Sequence, residues 1–521
     1  MKGVCSMKRV LTILLALALM LPSALAEYDE HMTFTTSFIE TGTADSYTDD
    51  AVYRHFADKF NLDFETYTVT WDNWEEKDRI WISSGTMPDL MQWNFKYDEY
   101  LTYATQGLIA PMPEGWEQDY PNLYDSVVAS GIYEKLLVDG KIYALPRVTF
   151  YIFSPIDAPI SHTTYYYRKD WAKELGYDFG YTVTIDEFMQ FCRDAVAKDM
   201  AGNGATIGIA AKANYMTNLQ TAMYVEACGS GSDFSKVNGK YVWNPTLDGT
   251  TERIKALREY YNEGVLDPDF YLDAKSDPKN KFASGLAAAL IEDGPCTHFV
   301  YRKNEFLAAN PDVDPAEIWD YIGACALVSN DGFWYGNEGT NYWTASIFSP
   351  EIDEQLQRRI LAMMDYACTK EAQEIIALGI PEVDWTYDEN GGYKILRPAN
   401  EDGSYPDIKS IYSSCYFWYI FTVLADDFTF VDPTLDAYIR ETVMALYKAR
   451  AEHGAYMPLD VDYMFFTSEA KSQYSVSIDD EIMRLILDSS VDIDTEWAKF
   501  IEDNRALWEP VVNDLNAAFA E

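Results

Sequence analysis

Between residues 32 and 93 the hydrophobic pattern keeps changing period, and this alternation constrains the fold more than any other feature of the chain. Residues 32–39 form a β-rich run, 49–60 have helical spacing, 63–70 alternate as a strand, 74–84 are helical, and 89–93 form a short apolar strand. Strands separated by helices predict a parallel α/β sheet. A helix over 97–106 should stop at Gly107, whose missing Cβ suits a left-handed cap. A strand over 141–146 follows the turn Asp139-Gly140.

A second block begins near Tyr165. Thr184 stands three residues before Glu187, a capping box that opens a helix running to about Lys198. Helical spacing also covers 218–227 and 251–263, with a hairpin between them at Val237-Asn238-Gly239-Lys240. Residues 318–328 read as a β segment able to return to the first sheet, and the chain after Pro350 is mostly helical apart from a loop over 388–406. A chain of 521 residues is longer than one hydrophobic core usually serves, so two lobes are expected.

Lys2, Lys8 and Arg9 precede an apolar run over 10–21 that ends in Pro22-Ser23-Ala24-Leu25-Ala26. This is the pattern of a secretory signal peptide, residues 1–26, cleaved after Ala26. Cys5 lies upstream of the apolar run and no cysteine follows the cleavage point, so no lipid-bearing lipobox cysteine is expected. Cys192, Cys228, Cys296, Cys325, Cys368 and Cys415 lack the tight spacing of a zinc site and are expected mostly as buried thiols. The formal charge of −44 repels nucleic acid and anionic membrane surfaces, so neither is an expected partner.

Several short motifs follow one another in a specific order: SSGTMPDL at 83–90, QGLIAPM at 106–112, DGKIYALPR at 139–147, YYRKDWAKELGY at 166–177, TIDEFMQFCRDAV at 184–196, GIPEVDW at 379–385 and IDTEWAKFIEDN at 493–504. Together they resemble the family 1 extracellular solute-binding proteins of ABC importers, in the branch that includes alginate- and other oligosaccharide-binding members. The resemblance implies a two-lobed, periplasmic-binding-protein-like α/β fold with an interdomain cleft and several hinge crossovers. It implies a monomer, secreted or periplasmic, that delivers a small polar solute, an oligosaccharide, to ABC permease subunits without a cofactor. The expected N-terminal lobe comprises 27–155 plus about 300–350, and the helix-rich C-terminal lobe about 156–299 plus 351–521. Some relatives carry a calcium loop of the form Asp-x-Asp-x-Asn-Gly after the capping-box helix. Here Asp199, Asn203 and Gly204 match, but Ala201 replaces a needed carboxylate. Calcium takes 6–8 oxygen ligands, so the loop is degenerate and no metal is expected.

Enzyme signatures are absent from the sequence. The five histidines show no HExxH, and there is no GxSxG, P-loop or early GxGxxG, so no catalysis is expected. Among 84 acidic residues a carboxylate pair for glycoside hydrolysis stays open by counting alone. An exported carbohydrate-active enzyme therefore remains one alternative, and a binding protein serving a sensor another. Aromatic residues make up 15% of the chain, with 39 Tyr and 14 Trp. Flat rings suit the C–H faces of pyranose sugars, but they suit a core equally well, and both readings stand for each ring. Ligands of parallel α/β lobes bind beyond the carboxyl ends of strands. That rule nominates Trp71, Trp93, Asn94 and Arg147 on the first lobe, and Asp293 after the apolar run 286–291. Trp343 and Trp418, from the later chain, complete the candidate site.

Overall fold

The computed structural model describes residues 28–42, 44–47, 49–153, 163–212, 233–272, 277–330, 332–337, 340–400, 403–423, 426–457 and 460–519. The expected signal segment, Cys5, Cys228 and the expected helix at 218–227 lie outside the described residues.

Two five-stranded sheets organise the chain. The first contains β1 (Met32–Ser37), β2 (Leu62–Thr66), β3 (Leu90–Trp93), β4 (Leu145–Val148) and β13 (Tyr342–Phe348) in the order β2-β1-β3-β13-β4. The second contains β5 (Thr163–Arg168), β6 (Thr182–Thr184), β7 (Ile207–Ala210), β10 (Ala287–Asp293) and β11 (Ile322–Val328) in the order β6-β11-β5-β10-β7. Between β7 and β10 in the chain stands the hairpin of β8 (Phe234–Val237) and β9 (Lys240–Trp243). Its turn residues Asn238 and Gly239 both have positive φ, as the tight two-residue turn requires.

Local signals are realised closely. Helix Trp74–Ser84 spans the expected residues, and helix Tyr97–Thr105 ends with Gly107 in the left-handed region. Leu108 N donates back to Tyr103 O at 2.9 Å there. Thr184 caps helix Ile185–Ala197 by accepting from Glu187 N.

Long-range pairing departs from expectation. The segment expected to return to the first sheet, 318–328, instead supplies β11, which pairs with β5 and β6 in the second sheet. The returning strand is β13, antiparallel to β3 and β4. All seven residues of β11 are buried, so its sequence carries no facing signal to choose a sheet. The helices Glu354–Ala367, Lys370–Leu378 and Ser414–Phe421, expected with the second lobe, pack on the first core through residues such as Ile360, Met364, Ile375 and Phe417. Phe417 stacks on Phe64 at 4.2 Å and Trp418 on Phe56 at 4.0 Å, contacts worth about 0.5–1.5 kcal/mol each beyond their area.

The strand directions fix where the sheets meet. β1 and β3 are parallel and β13 antiparallel, so the carboxyl ends of β1, β3 and β4 lie beside the start of β13. In the second sheet the ends of β10 and β11 lie beside the start of β5. The chain leaves the first sheet at Val148 to enter the second at Thr163, and leaves the second at Val328 to re-enter the first at Tyr342. A third crossing joins helix Ser414–Phe421 to helix Ala437–His453, which packs on the second sheet. These crossings connect the two strand-end edges, so those edges face one another across a cleft. Among the described residues no helix is long and apolar enough to cross a membrane. The five described cysteines are buried free thiols.

Candidate functional site

At the first lobe's edge the controlling feature is a bulge in β13. The register between β13 and β4 shifts between Tyr342 and Ala345, and Thr344 has φ of 61°, a conformation costly for a β-branched residue. Arg147, at the end of β4, holds it there. Its Nε donates to Thr344 Oγ1 at 2.8 Å, its Nη2 donates to the same oxygen, and its Nη1 donates to the Ile420 carbonyl. The guanidinium lies 5.2 Å from the Trp343 ring centre and 5.6 Å from that of Phe38. Arg147 is 1% exposed, and among the described residues no carboxylate forms an ion pair with it. Burial pushes it down to about 9, against the opposing pull of the Tyr416 and Tyr419 phenols. It therefore supports the site from below, out of a solute's direct reach.

Above this support Trp343 stacks with Trp71, their ring centres 5.5 Å apart and their planes 26° from parallel. Trp71 is 39% exposed and Trp343 half-buried against Ile39, Val69 and Trp74. Tyr416 and Tyr419, three residues apart on helix Ser414–Phe421, lie half-buried nearby, with Lys409 Nζ 4.6 Å from the Tyr419 ring centre. Burial pushes the Tyr416 phenol up to about 12, with Glu40 and Tyr301 adding to the effect. Tyr301 belongs to helix Cys296–Ala309 of the second lobe and is exposed, so the two lobes come within electrostatic range at this point.

On the second lobe Asp293 ends β10, and its carbonyl accepts from Tyr166 Oη at 2.9 Å. Glu292, Asp293 and His298 each offer a ligand atom within 4.8 Å of the others. That cluster suits a cation poorly, because Lys279 Nζ lies 3.0 Å from Glu292 and Arg302 Nη1 3.9 Å from it. Burial pushes His298 down to about 4, so its ring is neutral at physiological pH. At the degenerate loop, Asp199 is engaged by its own neighbours: one oxygen accepts from Thr206 Oγ1 and the other from Gly204 N, both at 2.8 Å. Asn203 Oδ1 accepts from Ala205 N at 2.9 Å.

The structure thus brings Trp71, Trp343 and, beneath them, Arg147 together, and sets Asp293 on the facing lobe. Two nominated rings are elsewhere. Trp93 is 2% exposed, packed beside Phe95 and Tyr103 at the end of β3, a strand whose four residues are all buried. Trp418 is 1% exposed on the inner side of its helix. Asn94 donates to Glu75 Oε1 at 2.9 Å, beside the Lys96–Glu75 ion pair. Tyr416, Tyr419, Lys409 and Tyr301 are additions. The i, i+3 spacing of Tyr416 and Tyr419 was the available signal, since it places both on the side of the helix opposite Trp418.

No protein-family model matches the chain. A curated relative, lipoprotein LipO of Bacillus subtilis (strain 168), is 22% identical over 326 residues, and the match spans 60% of this chain and 60% of that relative. Solved structures align over far more of the chain. The alginate-binding protein AlgQ2, without calcium ion, superposes with a TM-score of 0.68 at 14% identity, covering 95% of this chain and 99% of its own. The S. pneumoniae ABC-transporter substrate-binding protein FusA, in complex with kestose, gives 0.65 at 15% identity, covering 94% and 99%. The N-glycan transport solute-binding protein NgtS of Streptococcus pneumoniae gives 0.58 at 14% identity, covering 94% and 98%. With two sheets, three crossings and strand-end edges facing across a cleft, the chain has the two-lobed fold of the ABC-transporter solute-binding proteins.

Proposed function

We propose that the chain binds an oligosaccharide between its lobes, outside the cytoplasm, and hands it unchanged to the permease subunits of an ABC importer. The stacked, partly exposed pair Trp71 and Trp343 at the strand-end edge carries this reading. Indole faces match the C–H faces of pyranose rings, while the phenols of Tyr416, Tyr419 and Tyr301 supply hydrogen bonds to sugar hydroxyls. Asp293 contributes from the second lobe, and hinge closure brings the two sets together. The alginate, kestose and N-glycan binding named for the structural relatives supports this class of solute.

In this reading the first lobe comprises 28–153 and 340–423, the second 163–330 and 426–519, and the protein acts as a monomer. It is exported after cleavage at Ala26 and carries no lipid anchor, unlike a lipoprotein such as the relative LipO by its name. Mass spectrometry of the exported form tests this directly, because an acylated cysteine would overturn it. The function itself is tested by thermal shift over alginate, fructan, mannan and glucan oligosaccharides. A bound solute at 100 times its Kd stabilises by about 2.7 kcal/mol. Absence of any shift across the panel, or recovery of the solute as cleaved product, would overturn the proposal.

A further inference from the structure

The lobes also touch at a place that is not one of the three crossings. Helix Ala437–His453 packs on the second sheet through Ile439, Val443, Leu446 and Tyr447. The chain then runs as a strand, Gly454–Met457, parallel to the strand Trp334–Asn337 of the second crossing, and so heads toward the first lobe. The short helix Val461–Met464 follows, and Phe465 ends 9% exposed in the first lobe's core. Its ring centre lies 4.8 Å from that of Tyr97, edge-on at 77°, and 6.5 Å from that of Phe95. Lys135 Nζ stands 5.9 Å from the Phe465 ring centre.

The next residue points into a different body. Phe466 lies 5.6 Å from Phe519 and packs in a cluster with Phe234, Tyr241, Trp243 and Trp508. That cluster shares Ile478, Phe500 and Ile501 with the core of the second lobe. Consecutive phenylalanines therefore belong to opposite lobes. The segment around them is braced. Asp460 Oδ1 accepts from Tyr463 N at 2.9 Å and from Tyr241 Oη at 2.8 Å. Lys471 Nζ donates to the carbonyls of Tyr463 at 2.8 Å and Phe466 at 2.7 Å. The charge of Asp98, in the first turn of helix Tyr97–Thr105, reaches Lys471 across the same junction.

We infer that residues 460–474 form a latch, anchored on the second lobe and bolted into the first by Phe465, that holds the lobes together in the absence of solute. A hinge crossing keeps its contacts as lobes rotate, whereas a ring seated in the opposite lobe must withdraw for the cleft to open. Withdrawal exposes a buried phenyl group, so removing the ring should lower the closed-to-open ratio roughly 10- to 150-fold.

Small-angle X-ray scattering of the purified chain, with no solute present, tests this. The unaltered chain should be compact, and Phe465→Ala and Tyr97→Ala should both raise the radius of gyration. Phe466→Ala should lower the melting temperature of the chain but leave its scattering unchanged. Circular dichroism checks that each variant is folded, and Tyr97→Ala answers from the socket side should Phe465→Ala fail to fold. An expanded unaltered chain, or folded Phe465→Ala and Tyr97→Ala variants that stay as compact as the parent, would overturn the latch. Because the measurement contains no sugar, its outcome is independent of the oligosaccharide reading.

Discussion

Replacing Trp93 and Trp343 by alanine, one at a time, should separate stability from affinity. Trp93 is 2% exposed, with Phe95 and Tyr103 ring centres 5.6 and 5.8 Å away. A buried ring of this size removes roughly 150–250 Å² from water, and its truncation in a core costs about 3–5 kcal/mol. Trp343 is half-buried and shares one ring contact with Trp71, itself worth about 0.5–1.5 kcal/mol. Its truncation in the solute-free protein should therefore cost about 1–2 kcal/mol, the pair contact plus part of its burial. If Trp343 is the sugar platform proposed above, the same change should weaken the complex by roughly 1–3 kcal/mol, or about 5- to 150-fold in Kd. Urea denaturation without solute, and calorimetry with the oligosaccharide giving the largest thermal shift, measure the two quantities. Trp93→Ala should lower the denaturation midpoint strongly and keep its Kd, and Trp343→Ala should lower the midpoint by less than half as much and weaken its Kd. Equal stability losses with an unchanged Kd in Trp343→Ala would refute the platform assignment.

Other outcomes follow from single residues. Asp78 is buried on helix Trp74–Ser84, and burial pushes its carboxyl up to about 8, with Glu75 adding to the effect. Its folded pKa lies above its unfolded one, so its contribution is greatest below about pH 4 and declines as pH rises toward 8, by on the order of 4 kcal/mol at pH 7. Asp78→Asn should gain stability relative to the parent over that window, and denaturation at pH 5 and 7.5 compares them. Thr184→Ala removes the cap of helix Ile185–Ala197 and should cost about 1 kcal/mol by the same assay. EDTA should leave the melting temperature unchanged, because both Asp199 oxygens already accept hydrogen bonds within their own loop; a clear drop would reveal a bound cation.

What was legible in the sequence divides by range. The caps at Thr184 and Gly107, the Asn238-Gly239 turn and the bounds of helix Trp74–Ser84 depend on residues within a few positions of one another, and each is realised. Sheet membership is non-local. The run 322–328 is buried on both faces, so every register and either sheet would satisfy its hydrophobicity, and only the paths of β5 and β6 decide. The helices Glu354–Ala367, Lys370–Leu378 and Ser414–Phe421 join the first core rather than the second for the same reason, since an amphipathic face states that it must be covered but not by which core.

The site shows the same division inside single elements. The strand-end rule located Trp93 along β3, but all four residues of that strand are buried, so a ring on either side of it joins the core. In helix Ser414–Phe421 the largest ring, Trp418, drew the nomination, although helical period puts it with Phe417 and Phe421 against Phe56 and Phe64 and leaves Tyr416 and Tyr419 on the other side. Trp343 reaches the cleft edge for a reason no local pattern contains. It stands in a bulge whose next residue, Thr344, is held at positive φ by an arginine 197 positions earlier in the chain. That arginine, buried and without a carboxylate partner among the described residues, contributes through the backbone it shapes. Its charge under the Trp343 ring also enriches the stack by cation–π attraction, so Arg147→Met should loosen both the bulge and the ring above it. Calorimetry of that variant should show weakened solute binding alongside its lost stability, and binding at parental strength would mean that the ring keeps its aim without the arginine.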